Sequence, residues 1–186
     1  MSNNWLDVWS KRNTDSKKIN LSELILLNGF DSPLGNMKEN DWTNYVDNII
    51  RNYGLNYGSS IFEVGCGSGA FLYPFYNSNY KISGIDFSKN LVSIANRIFK
   101  LNTNKIQTCS AEKLDYSNKF HFVVSNHVFH YFPSLNYSFE VLEKMFLKCS
   151  KKVILLGLPN YDFKIESENK RRGILTVKEY EKKYSN

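Results

Sequence analysis

Ile61-Phe62-Glu63-Val64-Gly65-Cys66-Gly67-Ser68-Gly69-Ala70 is the stretch from which the rest of the chain can be read. A short apolar run carries an acidic residue near its end, and three glycines then alternate with small residues. That order predicts a buried strand ending near Val64, a tight turn, and a helix starting around Ser68. Glycine at 65 and 67 admits positive φ and leaves bare main chain against which a ligand can lie. A helix start at this point offers unpaired N–H groups to whatever sits above it.

Outward from this loop the chain alternates strand and helix. The helix after the glycines reaches about Tyr76, with Pro74 awkward near its end. A strand over 81–85 comes next, then a helix capped by Ser88 that runs to about Lys100 with Leu91, Val92, Ala95, Ile98 and Phe99 inward. Strands over 105–108 and 120–125 succeed it. Ser134 caps a helix to about Lys148, with Leu135, Phe139, Leu142 and Phe146 read as its inner face, and a last strand covers 152–156. This alternation implies an α/β fold, a three-layer Rossmann-like parallel sheet with helices on both faces. Such sheets bind ligands beyond the carboxyl ends of their strands, where strand order reverses.

Upstream, residues 41–53 form the clearest helix, because Trp42, Tyr45, Val46, Ile49, Ile50 and Tyr53 recur on one face. Asn40 or Asp41 can cap it and Gly54 can end it. Its aromatic stripe reads as core. Residues 1–39 form an irregular N-terminal extension: Trp5 and Trp9 share one side of a helical turn, 21–27 is an apolar helix stopped by Asn28-Gly29, and 31–35 reads as a turn. Trp5 reads as an anchor to the core, and for Trp9 that role and a cofactor-facing one both stand open.

At 186 residues, with 42% hydrophobic and 15% aromatic residues, the chain suits one globular domain and not a disordered one. The start, Met1-Ser2-Asn3-Asn4-Trp5, lacks a basic region ahead of an apolar run, and no apolar segment approaches membrane-spanning length. A cytoplasmic location with no membrane partner is therefore the expectation. Three separated cysteines without a C-x-x-C argue against disulfides and against a metal site. The net charge of +6 permits nucleic-acid binding without requiring it. Its densest patches, Lys148 with Lys151-Lys152 and Lys170-Arg171-Arg172, read as solvated surface, so nucleic acid is not the expected partner.

Two cofactor readings of the loop compete. Gly65, Gly67 and Ala70 fit G-x-G-x-x-G/A, the dinucleotide fingerprint, in which a helix start holds a pyrophosphate. Glu63, Gly65, Gly67 and Gly69 satisfy every position of E-x-G-x-G-x-G. In this the stretch resembles motif I of the class I S-adenosylmethionine (SAM) dependent methyltransferases. SAM carries an ammonium, a carboxylate and a sulfonium and no phosphate, so an acid at the strand end suits it, whereas a carboxylate is unwelcome beside a pyrophosphate. The resemblance continues over about residues 58–157, with several motifs in the family's order.

The residues it implicates fall at the strand ends. Glu63, Gly65, Cys66, Gly67 and Gly69 would form the cofactor loop. Asp86, 17 residues after Gly69, would accept the ribose hydroxyls, and Phe87 would lie against adenine. Ala111-Glu112 resembles the segment that reads the adenine edge. Ser125-Asn126-His127-Val128-Phe129-His130-Tyr131 resembles motif IV and the post-motif region, which puts Asn126 and His127 in the cofactor pocket and His130 and Tyr131 on the acceptor side. Where the family often has Asp, this chain has His121 at the strand's start, read as structural. N-terminal additions commonly form a lid in this family, which implies a lid over 1–39, a SAM-binding domain over 40–160, and a tail over 161–186.

The implied activity is transfer of a methyl group from SAM, with S-adenosylhomocysteine (SAH) as product, to oxygen or nitrogen of a small molecule. His127 or His130 would serve as base for a hydroxyl acceptor. No D/N-P-P-Y/F occurs after the fourth strand, which argues against the DNA amino-methyltransferase type. The family normally completes its sheet with a C-terminal strand pair; residues 161–186 leave little room for one, so that pair is expected to be absent or truncated. The last strand would then be covered by the tail or by a partner chain, a homodimer included. The rival readings are a SAM-binding scaffold without turnover and an NAD-dependent oxidoreductase.

Overall fold

The computed structural model describes residues 4–158 apart from 17, 33, 34 and 102–105. In chain order the elements begin with α1 (Asn4–Lys11), α2 (Leu21–Leu27), a two-stranded hairpin of β1 (Asp31–Ser32) and β2 (Gly35–Asn36), and α3 (Glu39–Tyr53). The alternating part comes next: β3 (Ser60–Val64), α4 (Leu72–Asn77), β4 (Lys81–Asp86), α5 (Lys89–Ile98) and β5 (Gln107–Thr108). It closes with β6 (Phe120–Asn126), α6 (Leu135–Lys148) and β7 (Cys149–Leu156). Asn20, Ser88 and Ser134 each accept a main-chain N–H at the start of α2, α5 and α6. Gly54 closes α3 in the left-handed conformation.

The main sheet has the order β5-β4-β3-β6-β7, and every neighbouring pair runs parallel. The chain winds outward from β3 to β5, crosses back, and winds the other way through β6 and β7. Order therefore reverses between β3 and β6. Side chains alternate across the sheet: Ile61 joins a core built with α2, α3, α4 and α5, while Phe62 and Val64 join a second core under α6. Two apolar faces on one parallel sheet give the three layers expected. α2 belongs to the first core through Leu24, Ile25 and Leu27.

Several elements depart from the sequence reading. The helix expected from Ser68 begins at Leu72, because the N–H groups of 67 and 68 are captured by side chains and the chain turns before it coils. Pro74 then sits in the first turn, where its missing N–H breaks no ladder bond. α3 has Lys38 at its N-cap without a side-chain bond; neighbouring Glu39 instead accepts the N–H and hydroxyl of Ser22. β7 starts at Cys149, directly after α6.

The inner face of α6 is one residue out of phase with the expected stripe. Leu135, Phe139 and Phe146 are 75%, 60% and 61% exposed, and the buried positions are Val141, Met145 and Lys148. Lys148 is correspondingly not a solvated charge. Its stem lies among apolar side chains, its ammonium sits over the Phe62 and Phe120 rings, and it donates to the carbonyls of Asp115 and Asn118. His121 is structural as expected: its Nδ1 accepts the N–H of Ser60 at 3.0 Å. The tail over 161–186, and with it the question of a C-terminal strand pair, lies outside the described residues. Among the described residues β7 is the last strand on its side of the sheet.

Candidate functional site

The carboxyl ends of the strands open onto a cavity of about 310 Å3 beside the point where strand order reverses. The glycine loop forms its floor. Gly65, Gly67 and Gly69 all have positive φ. A Cβ on Gly67 would lie 2.5 Å from Asn28 Oδ1, and one on Gly69 would collide with the ring of Phe99. Gly67 therefore has to be glycine because the chain's own Asn28 lies across it. Gly69 serves packing and is off the cavity wall.

Each N–H of residues 65–69 is already taken. Gly65 and Cys66 donate to the Ile85 carbonyl at 2.8 and 3.0 Å, and Gly69 donates to the Cys66 carbonyl at 2.9 Å. Gly67 donates to Asp86 Oδ2 and Ser68 to Asn28 Oδ1, both at 2.8 Å. The unpaired N–H groups expected at a helix start are thus absent here. A pyrophosphate would find no free donor in this loop, and it would face a carboxylate.

Asp86 stands at the end of β4 on the cavity wall. Besides the Gly67 N–H it accepts the Ser88 N–H at 2.8 Å, one bond to each oxygen. A carboxylate has about four lone-pair directions, so both oxygens can still accept from a ligand. Burial pushes its pKa up to about 6, against the pull of those two N–H bonds. Glu63 is buried behind the loop and off the wall, and its Oε2 has no hydrogen-bond partner. Burial, with the nearby Asp86, holds its carboxyl well above the usual range. The Cys66 side chain also turns into the core, and burial pushes its thiol up.

At the end of β6, Asn126 lines the cavity and its Oδ1 accepts the hydroxyl of Tyr45 at 2.8 Å. Burial, with Glu63 next in weight, raises Tyr45 to about 12, which keeps it a donor. His127 comes next at φ +57; its N–H donates to the Leu156 carbonyl at 3.0 Å. Its ring lies against Gly157, where a Cβ would collide, and meets Phe30 edge-on at 5.3 Å. His127 is exposed over its residue as a whole, yet partial desolvation of its ring against the wall lowers its pKa and favours the neutral imidazole. His130 is exposed and off the wall, with its ring 6.4 Å from that of His127, whereas Tyr131 is on the wall.

Tyr131 meets Trp5 at 5.0 Å and Trp9 at 5.5 Å between ring centroids, and all three line the cavity. Trp5, read from sequence as an anchor to the core, thus stands on the cavity wall. At the opposite end Phe87, Ala111 and Glu112 line the wall. Glu112 accepts the hydroxyls of Ser110, at 2.7 Å, and of Tyr137. Burial alone would raise its carboxyl, but these bonds bring it below its ordinary value. Asp86 and Glu112 are the acids of the wall, and among the described residues it carries no lysine or arginine.

Of the residues singled out from sequence, Trp9, Gly65, Gly67, Asp86, Phe87, Ala111, Glu112, Asn126, His127 and Tyr131 meet at this cavity, while Glu63, Cys66, Gly69 and His130 lie off its wall. Sequence reading missed Asn28, Tyr45, Ser110 and Tyr137. Asn28 looked like a helix stop and Tyr45 like core, and their partners lie 40 and 81 residues away, beyond any local pattern.

The profile of a family described as a methyltransferase domain matches residues 37–176. A putative methyltransferase of Geobacillus sp. (strain WCH70) is 26% identical over 66 residues, which make up 36% of this chain and 27% of that protein. Magnesium protoporphyrin IX methyltransferase (ChlM) from Synechocystis PCC 6803, solved with bound SAM, has a TM-score of 0.54 at 17% identity, over 81% of this chain and 69% of that one. CalS10, an amino pentose methyltransferase from Micromonospora echinaspora solved with SAM, has a TM-score of 0.57 at 13% identity, over 81% and 61%. The plantazolicin methyltransferase BpumL, in complex with SAH and a desmethyl analogue, has a TM-score of 0.55 at 22% identity, over 79% and 57%. The chain thus spans about a quarter of the curated relative it matches. These likenesses establish a shared Rossmann-like fold.

Proposed function

We propose, from the premise that this chain belongs to the methyltransferase-domain family, that it binds SAM in the strand-end cavity and transfers a methyl group to oxygen or nitrogen of a small molecule. The observation that carries the cofactor assignment is a glycine loop with no spare N–H and the Asp86 carboxyl standing on the cavity wall beside it. That chemistry suits a ligand with cationic groups and hydroxyls, and it disfavours a pyrophosphate.

SAM, when bound, supplies a methyl group already activated by its sulfonium for in-line displacement. Asp86 accepts the ribose hydroxyls with the lone pairs its backbone bonds leave unused. Phe87, Ala111 and Glu112 hold the adenine end. Glu63 stays behind the loop with its carboxyl held well above the usual range, so the negative charge beside the loop comes from Asp86, and Asn126, oriented by Tyr45, offers its amide N–H to the amino-acid end. Trp5, Trp9 and Tyr131 cover the acceptor side and keep water out. An acceptor hydroxyl or amine beside His127 gives its proton to the neutral imidazole as its oxygen or nitrogen bonds to the methyl carbon. The methyl–sulfur bond would be the one exchanged, and SAH would be the leaving product.

Calorimetric titration with SAM, SAH and NAD tests the cofactor assignment. Saturable binding of SAM and SAH but not NAD, lost in a folded Asp86→Ala protein, is the expected result. A folded chain that binds neither SAM nor SAH would end this reading.

A further inference from the structure

We infer that Asn28, in the N-terminal segment, is a specificity-determining residue of the cofactor loop: its side-chain amide fills the place above Gly67 and Ser68 where a phosphate oxygen would otherwise be taken. The inference rests on the proposed SAM-type cofactor and deepens it. Of the five loop N–H groups, four find partners within the α/β frame itself, in the Ile85 and Cys66 carbonyls and the Asp86 carboxylate. The fifth, on Ser68, is met from outside that frame, by Asn28 at the end of α2.

The amide engages the loop in three ways. Oδ1 accepts the Ser68 N–H at 2.8 Å, it stands 2.7 Å from the Ser68 hydroxyl, and Nδ2 donates to the Cys66 carbonyl at 3.1 Å. Asn28 lines the cavity, and the fully buried Ser68 lies behind it. One neutral oxygen thus accepts the N–H that a phosphate oxygen would seek, beside a Ser68 hydroxyl that also reaches the Leu24 carbonyl at 3.1 Å. Without this side chain the Ser68 N–H would lose its partner, the kind of donor that dinucleotide-binding folds turn to a phosphate, while the Ser68 hydroxyl would keep the Leu24 carbonyl. With it, the loop is closed to anions while the rest of the cavity stays open to an adenosine group.

ADP is the discriminating probe, since it shares adenine and ribose with SAH and adds a pyrophosphate. SAH and ADP are titrated into wild type, Asn28→Ala and Asn28→Asp, with Ser68 amide hydrogen exchange tracked in each. Wild type is expected to prefer SAH strongly. In Asn28→Ala the preference should fall by roughly tenfold or more, the worth of one bond to a charged group, and the Ser68 amide should lose its protection. Asn28→Asp keeps the acceptor and adds a negative charge, so it should exclude ADP and protect Ser68 as wild type does, although it loses the bond to Cys66. A merely structural role would lower the melting temperature of both variants and leave the SAH-to-ADP preference unchanged in both, and that result would overturn the inference. Persistent Ser68 protection in Asn28→Ala would overturn it too. Failure of SAH to bind wild type would instead sink the cofactor reading, and the exchange arm and ADP binding by Asn28→Ala would still decide the role of Asn28.

Discussion

Asp86 carries two tasks that pull on its charge in opposite directions. Its oxygens brace the Gly67 and Ser88 N–H groups, which favours the ionised form, yet burial raises its pKa to about 6 from an ordinary 3.8. The folded protein therefore holds a proton that the unfolded chain has lost between those values. The stability this contributes is full below about pH 4 and is lost as pH rises through about 6. Replacing the group with Asp86→Asn should flatten that dependence, removing a decline of about 2–3 kcal/mol between pH 4 and pH 7; urea unfolding at the two pH values checks it. Tyr45 acts one step further from the ligand. Tyr45→Phe leaves Asn126 Oδ1 without its 2.8 Å donor, and is expected to cost about 1 kcal/mol of stability and to weaken SAH binding several-fold. Equal SAH affinity in the two proteins would remove Tyr45 from the site.

Among the elements, α6 shows how a stripe and a burial face can differ. Leu135, Phe139, Leu142 and Phe146 have helical spacing, and so do Val141, Met145 and Lys148, one position away. Sheet contact chose the second set, since Val141 and Met145 complete the core over Phe62, Val64 and Val123. Met145→Ala should accordingly cost about 2–4 kcal/mol, while Phe139→Ser should stay within about 0.5 kcal/mol; urea midpoints of the two variants make the comparison. A large loss for Phe139→Ser would mean that the exposed stripe is covered in solution. The glycine loop is the other element whose details depend on its surroundings. Gly67→Ala adds a Cβ at φ +54 against Asn28, so it should lose SAH binding even where the protein stays folded, as calorimetry would register.

Across the whole molecule, the N-terminal segment is stitched to the α/β frame. Ser88 donates its hydroxyl to the Trp9 carbonyl, Asn90 donates to the Ser10 carbonyl, and Asn28 reaches the loop. Arg12 ties the segment to itself: it caps α2 through the carbonyls of Leu26 and Leu27 and pairs with Asp31 at 3.2 Å. The cavity is thereby walled by two parts of the chain that are far apart in sequence. Trp5 and Trp9 face it, whereas Trp42 is fully buried with its N–H on the Ala70 carbonyl. Saturating SAH is thus expected to change tryptophan fluorescence in wild type and in Trp42→Phe but not in a Trp5→Phe/Trp9→Phe protein. A response confined to Trp42 would contradict this arrangement.

The sequence by itself determined the alternation of strands and helices, the glycine loop, the Ser88 and Ser134 caps and the strand-end residues from Asp86 to His127. Each of these is written in local chemistry: the period of apolar residues, the freedom of glycine, the reach of a short hydroxyl. Tertiary structure alone decided the phase of α6, the burial of Lys148, the retreat of Glu63 behind the loop and of His130 from the wall, and the parts played by Asn28 and Tyr45. Those outcomes depend on which groups meet across tens of residues. A buried donor or acceptor takes whatever partner the packed sheet and helices bring within about 3 Å, and no spacing along the chain records that choice.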